Sequence, residues 1–352
     1  MKGYIVVFLL AAALLLLIPL PALPSRAPAA APSASRDTPT MDNNPDNQPA
    51  AATTTTTTTA TVTTTTTTAP KADEAVFHLL CGEKVVTLSE REFLIRTLAF
   101  EMPAAYHAEA LKAQAVAAYT YYGRRRTAQQ KEADPALKGA HFVSPADTFP
   151  DNYTAEALRA TWGDNFDTYY NKIAAAVDAV MGKTITYKGE LIDACYFAIS
   201  NGSTESAKTV WGQEVAYLQA VASPGDCLSP GYQTTVTLTA DQVRTALLAA
   251  QPALVLPQDP AGWFGQATCS PTGTVTAIPV GNGTFTGTAL RSALSLRSAT
   301  FTVAWQNGQF LFTVKGYGHG VGMSQYGADF LARQGYTYQE ILKYYYKDVT
   351  IS

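Results

Sequence analysis

The chain has 352 residues, a formal net charge of −3 and 47% hydrophobic residues. That length allows one large domain or two lobes with a sizeable core. The slightly acidic balance speaks against a nucleic-acid partner, which favours a strongly basic patch.

Residues 4–20 (YIVVFLLAAALLLLIPL) are almost wholly apolar behind Lys2. The run suits a secretory h-region or a short spanning helix. No small-x-small cleavage site follows, so 1–23 reads as an uncleaved signal-anchor, with the remainder exported. Segment 24–74 is rich in Pro, Ala and Ser, and 14 of the 16 positions 53–68 are Thr. It offers no apolar face to bury and reads as a disordered stalk. The folded part is expected over 75–352.

Within it, 77–80 and 84–87 flank Gly82 as a hairpin. Ser89, with Glu92 three residues on, marks a helix start. That helix runs to about Met102, where Pro103 ends it. A second helix covers about 108–125. Residues 126–165 read as irregular, then 167–181 as helical, ending at Gly182. A second hairpin joins 184–187 to 191–198. Residues 199–231 are loop-rich. A strand at 234–238 precedes a helix at 241–251, strand-like runs fill 272–315, and helices close the chain at 324–333 and 338–346. Helices and hairpins in this order give an α+β fold.

Glu101 lies three residues after Leu98 and seven after Leu94, on the expected inward face and at the negative end of the helix dipole. Both features favour a protonated carboxyl, the donor a leaving glycosidic oxygen needs. The competing reading is an exposed glutamate at a frayed helix end. Gln114 follows Leu111 at the same spacing and also points inward, either toward a sugar or the carboxyl, or as a satisfied interior amide.

In 316–328 (GYGHGVGMSQYGA) four glycines surround His319. Such a loop lets backbone N–H groups approach a ligand, and Ser324 caps the next helix or binds a polar group with it. His319 is a base, a hydrogen bond to ligand or a metal ligand; a tight structural turn explains the segment equally. The four histidines lie far apart with no ligand spacing to a cysteine, so no metal and no cofactor are expected. No GxSxG supports a serine hydrolase. Cys81, Cys195, Cys227 and Cys269 allow three disulfide pairings, of which Cys195–Cys227 is preferred, and buried free thiols are the equal alternative.

Three segments together resemble the stage II sporulation protein D family: EMPA at 101–104 with EALKAQAVAA at 109–118; IDACYFAISNGST at 192–204 with VWG at 210–212; and LRSALSLRSATF at 290–301 with GHGVGMSQYGA at 318–328. The resemblance implies a lytic transglycosylase acting on peptidoglycan strands stripped of stem peptides, beside an amidase-endopeptidase of the engulfment machinery. It implies Glu101 as the catalytic acid, and Gln114, Tyr119, Ser200, Asn201, Ser203, His319, Ser324, Gln325 and Tyr326 along a glycan cleft between two lobes in a crescent. Tyr119 replaces a family arginine, which puts any sugar contact of that arginine in doubt. Some members carry zinc near the region matching 135–155; here that stretch has His141 and no cysteine. The same domain occurs in amidase enhancers, so a non-catalytic wall-binding role is the alternative. The expected location is the cell membrane, with the domain on the wall side.

Overall fold

A computed structural model describes residues 75–146 and 148–352. The expected anchor at 1–23 and stalk at 24–74 lie outside the described residues, and no described helix is long and apolar enough to cross a membrane. The architecture is α+β, as the order of elements suggested.

The chain opens with the antiparallel hairpin β1 (Val76–Cys81) and β2 (Lys84–Ser89), turning at Gly82 with φ +55°. The Ser89 side chain accepts from the Glu92 N–H and starts α1 (Glu90–Glu101), but Glu92 pairs with Arg96 at 2.8 Å instead of closing the capping box. Met102 caps α1 in extended conformation before Pro103. His107 then caps α2 (Ala108–Lys131), which is longer than expected. β3 (Phe142–Val143) joins β1 in parallel and gives the sheet order β2-β1-β3. The stretch read as irregular holds α3 (Phe149–Asn152) and α4 (Ala155–Trp162), the latter capped by Thr154. α5 (Phe166–Asp178) follows.

β4 (Ile185–Tyr187) and β5 (Glu190–Leu191) make the second hairpin, which is shorter than expected. The chain beyond Leu191 leaves it. β6 (Tyr196–Phe197) pairs in parallel with β13 (Met323–Ser324) near the far end of the chain. Between them come α6 (Ala207–Trp211), β7 (Gln233–Thr239), α7 (Ala240–Ala250), β8 (Thr268–Cys269), β9 (Val275–Val280) and β10 (Gly283–Phe285). Next are α8 (Gly287–Ala293), β11 (Phe301–Gln306) and β12 (Gln309–Lys315). α9 (Gln325–Arg333), α10 (Tyr338–Tyr345) and β14 (Thr350–Ile351) finish the fold.

Two hydrophobic cores result. The first gathers Phe77, Phe93, Leu98, Leu111, Val116 and Tyr122 with the C-terminal Met323, Ile341 and Tyr345. The second gathers Val243, Leu247, Trp263, Phe285, Phe310 and Phe312 from 243–314. The second core is therefore inserted into the first, and the chain returns at Gly316.

That return explains the glycines. Gly316, Gly318 and Gly322 all have positive φ. A Cβ on Gly318 would lie 2.6 Å from Phe197 Cβ, and one on Gly322 only 2.1 Å from the Cys195 carbonyl oxygen. The alternation lets one backbone lie against 195–199, where any side chain would collide. The N–H of Met323 donates to Cys195 O at 3.1 Å and that of Tyr317 to Ile199 O at 2.7 Å.

The four cysteines form no disulfide. The favoured Cys195–Cys227 pair is not made: Cys195 sits inside the first core, where burial pushes its thiol pKa up, and Cys227 lies exposed.

Candidate active site

Glu101 is the last residue of α1, on the face that carries Leu94 (1% exposed) and Leu98 (0%). The side chain keeps a partly exposed surface, yet its Oε1 is buried with no hydrogen-bond partner. Burial pushes the carboxyl up to about 8, against the opposing influence of Gln325 and Tyr196. The carboxyl is thus protonated at neutral pH, as its place on the helix led one to expect.

Gln114 is fully buried on α2. Its Oε1 accepts from Gln325 Nε2 at 3.5 Å, between residues 211 positions apart in sequence, while its own Nε2 has no partner. The Tyr196 hydroxyl is likewise buried without a close partner. Tyr122 stands behind it, close enough to feel the Glu101 charge, and burial holds its phenol far above the usual range. One carboxyl, two amides and two phenols therefore meet at a point where three buried polar atoms lack close partners. Buried polar groups are normally paired. Catalytic hydrogen bonds are often long without substrate and tighten when it binds.

The remaining expected residues divide. Ser324 Oγ accepts from Gly327 N at 3.2 Å and donates to Asp226 Oδ1 at 2.9 Å, so the cap is engaged within the protein. Ser200 N donates to Asp226 Oδ2 at 2.9 Å, and Gly202 N donates to Ser200 Oγ at 3.1 Å. Burial raises the Asp226 carboxyl, partly offset by hydrogen bonds from Ser200, Ser324 and Ser223. Asn201 Nδ2 donates to Thr272 O at 2.7 Å and Thr300 Oγ1 at 3.1 Å, tying the first core to the second. Ser203 Oγ donates to Val221 O at 3.0 Å. Beside them Glu205 accepts from Ser270 Oγ at 2.6 Å and from Thr272 Oγ1. Asn201 and Glu205 thus tie this loop to residues 270–300, while Ser200 and Ser203 bond within the first part of the fold.

His319 Nδ1 accepts from Val321 N at 3.1 Å, which leaves the proton on Nε2 to donate to Tyr196 O at 3.1 Å. The ring lies against Phe197 and Trp211. Tyr326 is half-buried, with its ring edge-on to Tyr106 at 6.2 Å. Asp329 Oδ1 accepts from His107 N at 2.6 Å and holds the loop after Glu101 against α9. Tyr119 is not part of the group. Its hydroxyl donates to Glu90 Oε2 at 2.8 Å, beside Arg126. Five residues along a helix turn a side chain about 140° away, so Gln114 and Tyr119 face different ways.

Sequence reasoning missed Tyr196, Tyr122, Asp226 and Tyr106. Tyr196 sat in a segment already singled out, but nothing local aimed it at Glu101. Among the described residues no group of three or more His, Cys, Asp or Glu side chains is gathered for a metal. The His141 ring packs on His78 at 4.7 Å, and burial pushes its pKa down to about 4.

The raised carboxyl carries a stability consequence. In the unfolded chain a glutamate titrates near ~4.3, and in the fold near about 8. The two states bind protons equally below the first value, so stability falls as pH rises from there to about 8 and then levels off. Glu101→Gln removes this dependence. Wild type is expected to lose roughly 3 kcal/mol relative to the variant between pH 4.5 and 7. Urea melts of both proteins across that range check the slope; parallel curves would show that the carboxyl is not desolvated.

Residues 82–187 match the family model described as SpoIID, stage II sporulation protein. Over 272 residues the chain is 38% identical to stage II sporulation protein D of Bacillus subtilis, covering 77% of this chain and 76% of that protein. Over 275 residues it is 37% identical to the protein of that name from Bacillus amyloliquefaciens, covering 77% and 76%. It is also 27% identical over 310 residues to an amidase enhancer of Bacillus subtilis, covering 72% of this chain and 39% of that protein.

Proposed function

The chain belongs to the stage II sporulation protein D family, and on that premise we propose that it is a lytic transglycosylase of peptidoglycan with Glu101 as its acid and then its base. The observation that supports this is the Glu101 carboxyl, buried, raised to about 8 and facing Gln325 and Tyr196.

In the proposed reaction Glu101 gives its proton to the oxygen between N-acetylmuramic acid and N-acetylglucosamine. The muramic C1–O bond breaks and the glucosamine leaves as an alcohol. The muramic acid's own C6 hydroxyl attacks C1, its proton passes to the Glu101 carboxylate, and a 1,6-anhydro ring closes. No water is consumed, so the second carboxylate of a hydrolase is not needed. The Gln325 amide and the Tyr196 hydroxyl stabilise the carboxylate between the two proton transfers. Gln114 holds Gln325 and offers its unpartnered Nε2 to the sugar. The glycan strand is proposed to lie between the two cores, with the Tyr106–Tyr326 pair at its side.

The setting completes the reading. Residues 1–23 anchor the chain in the cell membrane, and 24–74 hold the domain on the wall side. It remodels septal wall during sporulation, on strands an amidase-endopeptidase has stripped of stem peptides. The test is mass spectrometry of products from denuded glycan. Anhydromuramic ends are expected; reducing-end muramic acid would instead mark an ordinary hydrolase.

A second reading, a non-catalytic amidase enhancer, draws on the relative of that name. It requires that the full chain bind glycan and stimulate an amidase without making product, and that Glu101→Gln stimulate as well as wild type. Stimulation of amidase by an inactive wild type would favour it.

A further inference from the structure

We propose that Arg333 recognises a carboxylate that the glycan strand exposes once its stem peptide is gone: the free nitrogens of its guanidinium, held by Asp329 beside the Tyr106–Tyr326 pair, take the lactyl carboxylate of an N-acetylmuramic acid next to the bond that is cut. This rests on the reading of the chain as a glycan-cleaving enzyme, and adds to it what selects the strand.

The arrangement starts on α9. Tyr326, Asp329 and Arg333 stand three and then four residues apart, so they share one face of the helix. The loop between α1 and α2 lies against that face. Asp329 Oδ1 accepts from His107 N at 2.6 Å, and the Tyr326 ring meets the Tyr106 ring edge-on at 6.2 Å. Asp329 Oδ2 accepts from Arg333 Nε at 2.7 Å. Both segments belong to the candidate active site. Tyr106 follows Glu101 within one short turn, closed by Tyr106 N donating to Pro103 O at 3.0 Å. Tyr326 directly follows Gln325, which donates to Gln114.

Burial separates the two charges. The Asp329 side chain is 8% exposed and that of Arg333 55%. Asp329 is committed on both oxygens, one to the loop and one to the arginine. Arg333 commits only Nε among the described residues. Its two terminal nitrogens carry four further N–H donors, in the fork geometry that fits a carboxylate. The partly exposed Tyr106 and Tyr326 rings add apolar surface with a polar tip beside it. Eight residues of helix, about 12 Å, separate Gln325 from Arg333. An arginine that far along meets a muramic acid flanking the scissile bond, not the sugar that is cut.

The chemistry of the strand names the ligand. Its sugar rings are neutral. N-acetylmuramic acid carries a lactyl ether, and while the stem peptide is attached that acid is tied up as an amide. Hydrolysis of the amide frees the carboxylate and clears the bulk around it. Asp329 remains beside the arginine as a charge of the ligand's own sign, and the guanidinium is wet. The contact is therefore worth only about tenfold in binding.

The experiment measures binding of the full chain, carrying Glu101→Gln so that no strand is cut, to two forms of denuded glycan. One has free lactyl acids; in the other they are capped as methylamides. The chain that retains Arg333 is expected to prefer the free acid about tenfold, and the preference to shrink as salt is raised. Arg333→Gln is expected to bring the two affinities together. Arg333→Lys keeps the charge without the fork and is expected to retain part of the preference. A purely structural role for the Arg333–Asp329 pair lowers both affinities equally and leaves their ratio as it was. That result overturns the proposal, as does a chain retaining Arg333 that binds the two forms alike. Should Arg333→Gln fail to fold, Arg333→Lys decides by the same ratio. The two readings fail separately. A preference that depends on Arg333, in a chain whose Glu101 form makes no anhydro product, would sink the transglycosylase and keep the carboxylate subsite; anhydro product without such a preference would do the reverse.

Discussion

Glutamine at position 101 is expected to lower anhydromuramic product formation by about 10²–10⁴-fold, the usual worth of general acid–base catalysis. The loss is expected in kcat, with glycan binding retained, because the amide fills the same space but has no proton to transfer. The upper end of the range is expected, because the proposed mechanism has Glu101 serve both halves of the reaction. The same substitution removes a buried ionisable group, so the variant should be at least as resistant to urea as wild type near neutral pH. Loss of activity without loss of stability separates a chemical role from a structural one. The measurement is mass spectrometric quantitation of anhydro ends at saturating denuded glycan. Product at the wild-type rate would remove Glu101 from the chemistry altogether.

Alanine at Gly322 is expected to have the largest effect on the fold. The residue has φ +80°, and an added Cβ would sit 2.1 Å from the carbonyl oxygen of Cys195. The neighbour is backbone, held by the Met323 N–H and the Tyr346 hydroxyl, and cannot step aside. Strain at positive φ and overpacking together cost at least about 3 kcal/mol. Gly182 supplies the control: φ is +78° with nothing within 4 Å of an added Cβ. Alanine there carries only the conformational part, about 1–2 kcal/mol. Denaturant midpoints of the two variants check the difference. Equal midpoints would show that close backbone approach does not explain the glycine. Because the displaced strand carries Tyr196, any folded fraction of Gly322→Ala should also be impaired in product formation.

Much of the site was legible because its signals are local. Ser89 caps α1, Pro103 follows its end, and the spacing from Leu94 and Leu98 put Glu101 on the buried face. Ser324 was readable as a cap by the same logic, and Gln114 as an inward amide. The helix after Thr154 carried a comparable cap signal inside a stretch read as irregular, so that error lay in the reading and not in the chain. The glycines of 316–322 were visible, but their purpose was not. The pattern fits a ligand loop and a close backbone crossing equally, and only the position of residues 195–199 separates the two.

By itself the sequence determined how the helix of Glu101 would begin and end, since hydrophobic period and capping act within one or two turns, and it left a buried and an exposed carboxyl both open at that end. The tertiary structure alone decided what that carboxyl would meet. Tyr196 pairs with Met323, two residues before Gln325, because β6 abandons the adjacent hairpin for β13, and His319 serves the Tyr196 backbone from 123 positions away. Asp226 joins Ser200 to Ser324 across a comparable distance in sequence. Such partners are selected by which surfaces can exclude water and each other's backbone together, and that selection exists only once the whole chain has closed.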